Sequence, residues 1–148
     1  MLRTLIAAAL LPLAIGSAHA GVWQPSPGQA EDAPRAVYSE TDTGTALLTC
    51  NSDGQFTAIL SKVTKDFPET MKKTAPYRRA VDVTVSTPDR QTDAQWVSIP
   101  AIETIVSASH SNAAKIFNAV VRGEALTVLV EGKDFVALQL PAVDDTFK

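Results

Sequence analysis

One cysteine, Cys50, and two histidines, His19 and His110, are the whole supply of soft ligands and imidazoles in this chain of 148 residues. His19 lies in an N-terminal stretch that reads as a removable leader, so His110 is left alone. A site of several His ligands, or a Ser-His-Asp arrangement with a spare partner, is then excluded, and no G-x-S-x-G frames any serine. His110 stands beside Ser109 and Ser111 and reads as a solvated loop residue. Asp144-Asp145 offers two hard oxygen ligands without a Gly-bearing loop of further oxygens, a poor cation site. Capping a short terminal helix suits the pair better. The residues call for no metal and no cofactor. Cys50 closes an alternating strand on the face of Ala46 and Leu48, which predicts a buried thiol acting as a small hydrophobe. An odd cysteine in an oxidising compartment could instead seek a partner on another chain, or on a stretch of this protein outside the sequence.

Asp42-Thr43-Gly44 is the tripeptide that carries the catalytic Asp in aspartic-type hydrolysis, where two buried carboxylates share one proton. Such an Asp ends an apolar strand. Here the approach, Tyr38-Ser39-Glu40-Thr41, is polar, and it predicts a turn leading into a strand at Thr45. An aspartic-type hydrolase using Asp42, built from two copies of the chain, is the alternative functional reading.

The strongest local signal is charge. Between Lys62 and Arg79 six cations, Lys62, Lys65, Lys72, Lys73, Arg78 and Arg79, face only Asp66 and Glu69, a local excess of +4 in a chain of formal charge −3. Such a segment concentrates anions near it and speeds their encounter, whatever the sign of the total. The plainer reading is a long solvated connection whose lysines keep it soluble. The partner-binding set expected here is Lys72, Lys73, Arg78 and Arg79, meeting an anionic envelope component or protein. Arginine grips carboxylate or phosphate with two parallel hydrogen bonds, so Arg78 and Arg79 are the better specific contacts. As neighbours on a strand they point to opposite faces, and the polar face belongs to Arg78 with Asp82. The acidic total does not suggest a nucleic-acid binder.

The elements that must hold these residues are mostly strands. Thr45 to Cys50 and Gln55 to Leu60 alternate with period two, and Asn51-Ser52-Asp53-Gly54 between them is hairpin chemistry. Arg79, Val81, Val83 and Val85 alternate with Arg78, Ala80, Asp82, Thr84 and Ser86, closing at Pro88-Asp89. Ala94 to Ile99 carries Trp96 into Pro100. Leu126, Val128 and Val130 lead through Glu131-Gly132-Lys133-Asp134 to Val136, Leu138 and Leu140, a second hairpin. One helix is expected near residues 111–122, since Ala113, Ile116, Phe117, Val120 and Val121 recur at helical spacing, with Ser109 or Ser111 to cap it and Gly123 to end it. Strands in this number with one late helix predict a mainly β fold, a single antiparallel sandwich or an open barrel with the helix over one end.

Residues 1–20 precede the fold. Arg3, the apolar run Leu5 to Ile15 and Ala18-His19-Ala20 have the three-part pattern of a secretory signal peptide cut before Gly21. A glycine after the cut, rather than a cysteine, argues against a lipid anchor. Loss of Arg3 with the leader takes the formal charge from −3 to −4. Residues 21–35, with Pro25, Pro27, Gly28 and Pro34, read as an extended N-terminal arm with Trp23 as its one large apolar group. Residues 36–148 form a single β-rich domain, long enough to support a core without bridges. It stops at Thr146-Phe147-Lys148 just where Val143, Asp144 and Asp145 open a helix, the pattern of a chain cut short. A single cysteine in an exported chain points to a bacterial periplasm rather than a disulfide-rich eukaryotic module.

In order, the leader, the early Trp23, the strand ending in Cys50, Tyr77-Arg78-Arg79-Ala80-Val81-Asp82, Trp96, and the late helix before a final hairpin resemble small periplasmic β-sandwich proteins of Gram-negative bacteria. The named groups are the invasion-associated locus B family and the secreted accessory proteins of type VI secretion. The resemblance spans roughly residues 36–148, supplies no catalytic residue, and implies a non-enzymatic envelope role. Members of these groups often carry a second cysteine near the C-terminus, and this chain has none.

Overall fold

The computed structural model describes residues 21–26, 35–51, 53–62 and 77–147. Residues 1–20, where a leader is expected, and most of the basic segment, Lys72 and Lys73 included, lie outside them. Among the described residues nine strands follow in chain order: β1 (Gln24–Pro25), β2 (Arg35–Glu40), β3 (Thr45–Cys50), β4 (Phe56–Ser61), β5 (Arg79–Thr87), β6 (Arg90–Ile99), β7 (Thr104–Ser107), β8 (Leu126–Val130) and β9 (Lys133–Leu138). They form one sheet in the order β1-β2-β3-β4-β7-β6-β5-β8-β9, with every neighbour antiparallel. The single helix α1 (His110–Arg122) packs on β4 and β7. Of the two architectures expected, the chain adopts the open barrel: a single curled sheet, half closed, with one helix.

The turns explain why the strands pair in this register. Gly54 takes a left-handed φ of 72°, and the Asn51 side chain accepts from the backbone N–H groups of Asp53 (3.1 Å) and Gln55 (2.8 Å), so Cys50 meets Phe56. Glu131 and Gly132, at φ 51° and 74°, make the two-residue turn between β8 and β9. β5 and β6 are longer than their alternating apolar cores. The polar run Arg90 to Asp93 extends β6 back to Pro88-Asp89, which is therefore a hairpin turn and not only a strand end. β2 and β7 were not expected. The segment Ala36 to Glu40 carries too few apolar residues to announce a strand, and β7 is too short to display its period.

The concave face holds the core. Ala46, Leu48, Ala58, Leu60, Val81, Val83, Val85, Trp96, Ile105, Val128 and Leu138 are buried there, and α1 lowers Ala113, Ile116, Ala119 and Val120 onto them. Ser109 caps α1, its Oγ accepting from Asn112 N, and Gly123 ends it at φ 66°. The buried arc is turned toward Asn112 and Ala119, so Val121, expected on the apolar stripe, is 65% exposed instead. Asn112 meets its burial cost by donating from Nδ2 to Gln95 O at 2.9 Å.

The ends of the chain close the gap that the half-barrel leaves. Trp23 is 2% exposed, donates from Nε1 to Pro141 O at 2.8 Å and meets the Phe147 ring edge-on at 5.0 Å. Thr146 Oγ1 donates to Trp23 O at 3.4 Å. The first residues of the expected arm are thus part of the sheet and core. On the opposite rim the β2–β3 turn reaches β9, where Thr43 Oγ1 donates to Ala137 O. Gly44 lies so close to Ser61 O and Val136 that an added Cβ would stand 2.7 Å from Val136 Cγ2.

Candidate functional site

Three sets of residues came forward from the sequence, and the fold separates them. Lys72 and Lys73 fall outside the described residues. Arg78 is exposed immediately before β5 and takes part in no ion pair among the described residues. Arg79 opens β5 at the parity of Val81 and Val83, but it stays at the surface because its guanidinium forks onto Glu131 in the β8–β9 turn, at 3.1 and 3.2 Å. That fork is already occupied by a carboxylate of the same chain.

Asp42 is exposed at the tip of the β2–β3 turn, and its neighbours use the tripeptide for folding. Thr41 Oγ1 donates to Gly44 O at 2.9 Å and Thr41 N donates to the same carbonyl, closing the turn. Asp42 does line a groove of about 250 Å³ with Thr41, Thr43, Thr127 and Gln139, yet among the described residues it is the only carboxylate on that groove. A site in which two carboxylates share a proton would have to import the second.

His110 departs from its expected place. It is the first residue of α1 rather than a loop residue, with its ring stacked on Phe56 at 5.0 Å and Nδ1 accepting from Phe56 N at 2.9 Å. The ring pins the start of β4 to the start of the helix. Cys50 also differs: it ends the strand at the parity of Ala46 and Leu48, but the residue is half-buried, with its Sγ 3.5 Å from Asn51 O. Asp144 acts as expected, its Oδ1 accepting from Thr146 N at 2.8 Å to cap the terminal 3-10 turn (Asp145–Phe147).

The fold also assembles two places that the sequence did not suggest. A shallow groove between α1 and the β5–β6 hairpin gathers Arg90, Lys115 and Arg122 with Thr87, Thr92 and Asn118. Arg122 is committed to Glu124, donating from Nη2 to Oε2 at 3.0 Å, and this bond holds the Glu124 carboxyl below its ordinary range and the guanidinium above its own. The second place is an apolar cavity of about 260 Å³ bounded by Val37, Leu48, Cys50, Phe56, Phe117 and Phe147. These residues come from five elements of the chain, so nothing in their local spacing announces the cavity. Phe117 had signalled only a core position and Cys50 only a strand end.

The chain matches no family model, no curated protein and no solved structure. What the molecule does must therefore be argued from its own surfaces. Among the described residues no helix is long and apolar enough to cross a membrane, and no three His, Cys, Asp or Glu side chains gather as a metal site.

Proposed function

We propose that the chain is a non-enzymatic interaction protein of the bacterial periplasm, exported by its leader, that meets an anionic partner through the basic segment ending in Arg78 and Arg79. The observation that carries this reading is the contrast between the two arginines: Arg79 is held in a bidentate pair with Glu131, while Arg78, one residue earlier, is exposed with no ion pair among the described residues. Arg79 acts as a brace that fixes the root of the segment. Arg78 is the contact, pre-positioned by the strand that follows it, with Lys72 and Lys73 adding long-range attraction.

Retention on a polyanionic heparin resin provides the test. The wild-type chain should elute at a defined salt concentration, because exposed charges are screened over about 8 to 10 Å near physiological ionic strength. Arg78→Glu and the pair Lys72→Glu with Lys73→Glu should each lower that concentration, whereas Arg90→Glu, on the groove beside α1, should leave it unchanged. Retention that ignores Arg78 and responds to Arg90 would transfer the anion site to the α1 groove and defeat the reading.

A further inference from the structure

We propose that the half-barrel also binds a small neutral apolar ligand, of the size of one substituted aromatic ring or a short acyl chain, in the cavity between β2, β3, β4, α1 and the terminal 3-10 turn. The cavity arises because three aromatic rings at this end are drawn sideways rather than down. Phe117 stacks on Phe56 at 4.3 Å between centroids, and Phe56 is held in turn by His110. Phe147 is drawn to Trp23. None of them fills the space over Val37 and Leu48, both buried, and a void of about 260 Å³ remains.

The space is a pocket open on one side, and a concave, mostly apolar lining of this kind is where small apolar ligands bind. An apolar cavity of roughly 150 Å³ takes up benzene, so this pocket has room for a ring with a substituent. Water is a poor occupant, since it needs two to four polar partners and the lining has two polar side chains, both engaged elsewhere. Cys50 Sγ lies 3.5 Å from Asn51 O, and Thr146 Oγ1 donates to Trp23 O. Among the described residues that line the space none is charged, so a charged ligand would find no counter-charge in that lining. The volume is also too small for a folded segment of another protein. What fits is a neutral, compact, apolar molecule, entering past the half-buried Cys50 and the partly exposed edges of Phe56, Phe117 and Phe147.

Toluene and benzoate, the same ring without and with a charge, are the probes. Saturation-transfer NMR on the purified chain should show saturable toluene binding and none for benzoate, with no dependence on salt. Toluene at saturation should slow modification of Cys50 by an anionic aromatic disulfide reagent at least tenfold. Cys50→Phe fills the mouth and should weaken toluene at least tenfold while the thermal unfolding midpoint is kept; Phe117→Ala widens the space and should admit naphthalene. Absence of toluene binding to the wild-type chain, equal binding of benzoate, or unchanged toluene binding by folded Cys50→Phe would each overturn the proposal. The heparin assay does not read this cavity, so the two proposals fail separately.

Discussion

Asp42, Thr43 and Gly44 divide between them what looks in the sequence like a single catalytic signature. Thr43 ties the β2–β3 turn to β9 through Ala137 O, Gly44 allows the close approach to Ser61 and Val136, and Asp42 is left facing solvent. The stability effects should follow these roles and not the motif. Gly44→Ala places a methyl group against backbone and should cost about 1 to 3 kcal/mol as overpacking. Asp42→Ala should change stability by no more than about 0.5 kcal/mol, as an exposed substitution. Chemical denaturation of both variants measures this, and a larger loss at Asp42 than at Gly44 contradicts the assignment. That the tripeptide is a turn was readable from the polar residues before it. That Thr43 is a latch was not, because its acceptor lies 94 positions away.

Helix α1 shows how far periodicity carries and where it stops. Spacing located the helix, residue type offered Ser109 or Ser111 as its cap and Gly123 as its end, and of the stripe Ala113, Ile116, Phe117, Val120 and Val121 the first, second and fourth are buried. It could not fix the rotation of the helix about its axis, because Ala is nearly neutral in such a pattern and Asn112 counts against burial. The sheet decided that rotation by offering Gln95 O to Asn112 and burying Ala119, which turned Val121 outward. Ile116→Ala should therefore cost about 2 to 5 kcal/mol as a filled core position is emptied, and Val121→Ala should stay within about 0.5 kcal/mol. Thermal unfolding of the two variants separates them; comparable losses would mean that the helix is rotated from its described orientation. The hairpins were legible for a related reason, since Gly54 and Gly132 supply the left-handed turns that fix register locally. β2 and β7 were not, because they owe their existence to strands already in place on either side.

At the scale of the whole molecule the question is how a single open sheet keeps its two edges from exposing the core. A curled sheet of nine strands has one edge at β1 and the other at β9, and unpaired edges invite association with other chains. Here the first described residues and the last ones meet across the opening: Trp23 is bonded to Pro141 O, touches Phe147 and accepts from Thr146, although 118 or more positions separate these partners. Little of this contact was legible from composition, which placed Trp23 in a Pro-rich arm with Val22 as its only apolar neighbour in sequence. A tryptophan in such a stretch can still dominate it, because a single buried aromatic side chain removes about 150 to 250 Å² from water and its N–H finds a carbonyl partner when buried. If Trp23 is the bolt of the closure, Trp23→Ala should cost about 3 to 5 kcal/mol. It should also release both ends at once, since Phe147 and Thr146 lose their partner in the same event. Limited proteolysis followed by intact-mass measurement should then show cleavage appearing together near residues 21–26 and after Leu140, while the hairpins β3–β4 and β8–β9 stay protected. Trp23→Phe, which keeps the ring contact with Phe147 but not the bond to Pro141 O, should fall between wild type and alanine. Cleavage confined to the N-terminal end in Trp23→Ala would show that the C-terminal turn is held by β2 and the cavity wall alone, and that the two edges of the half-barrel close independently.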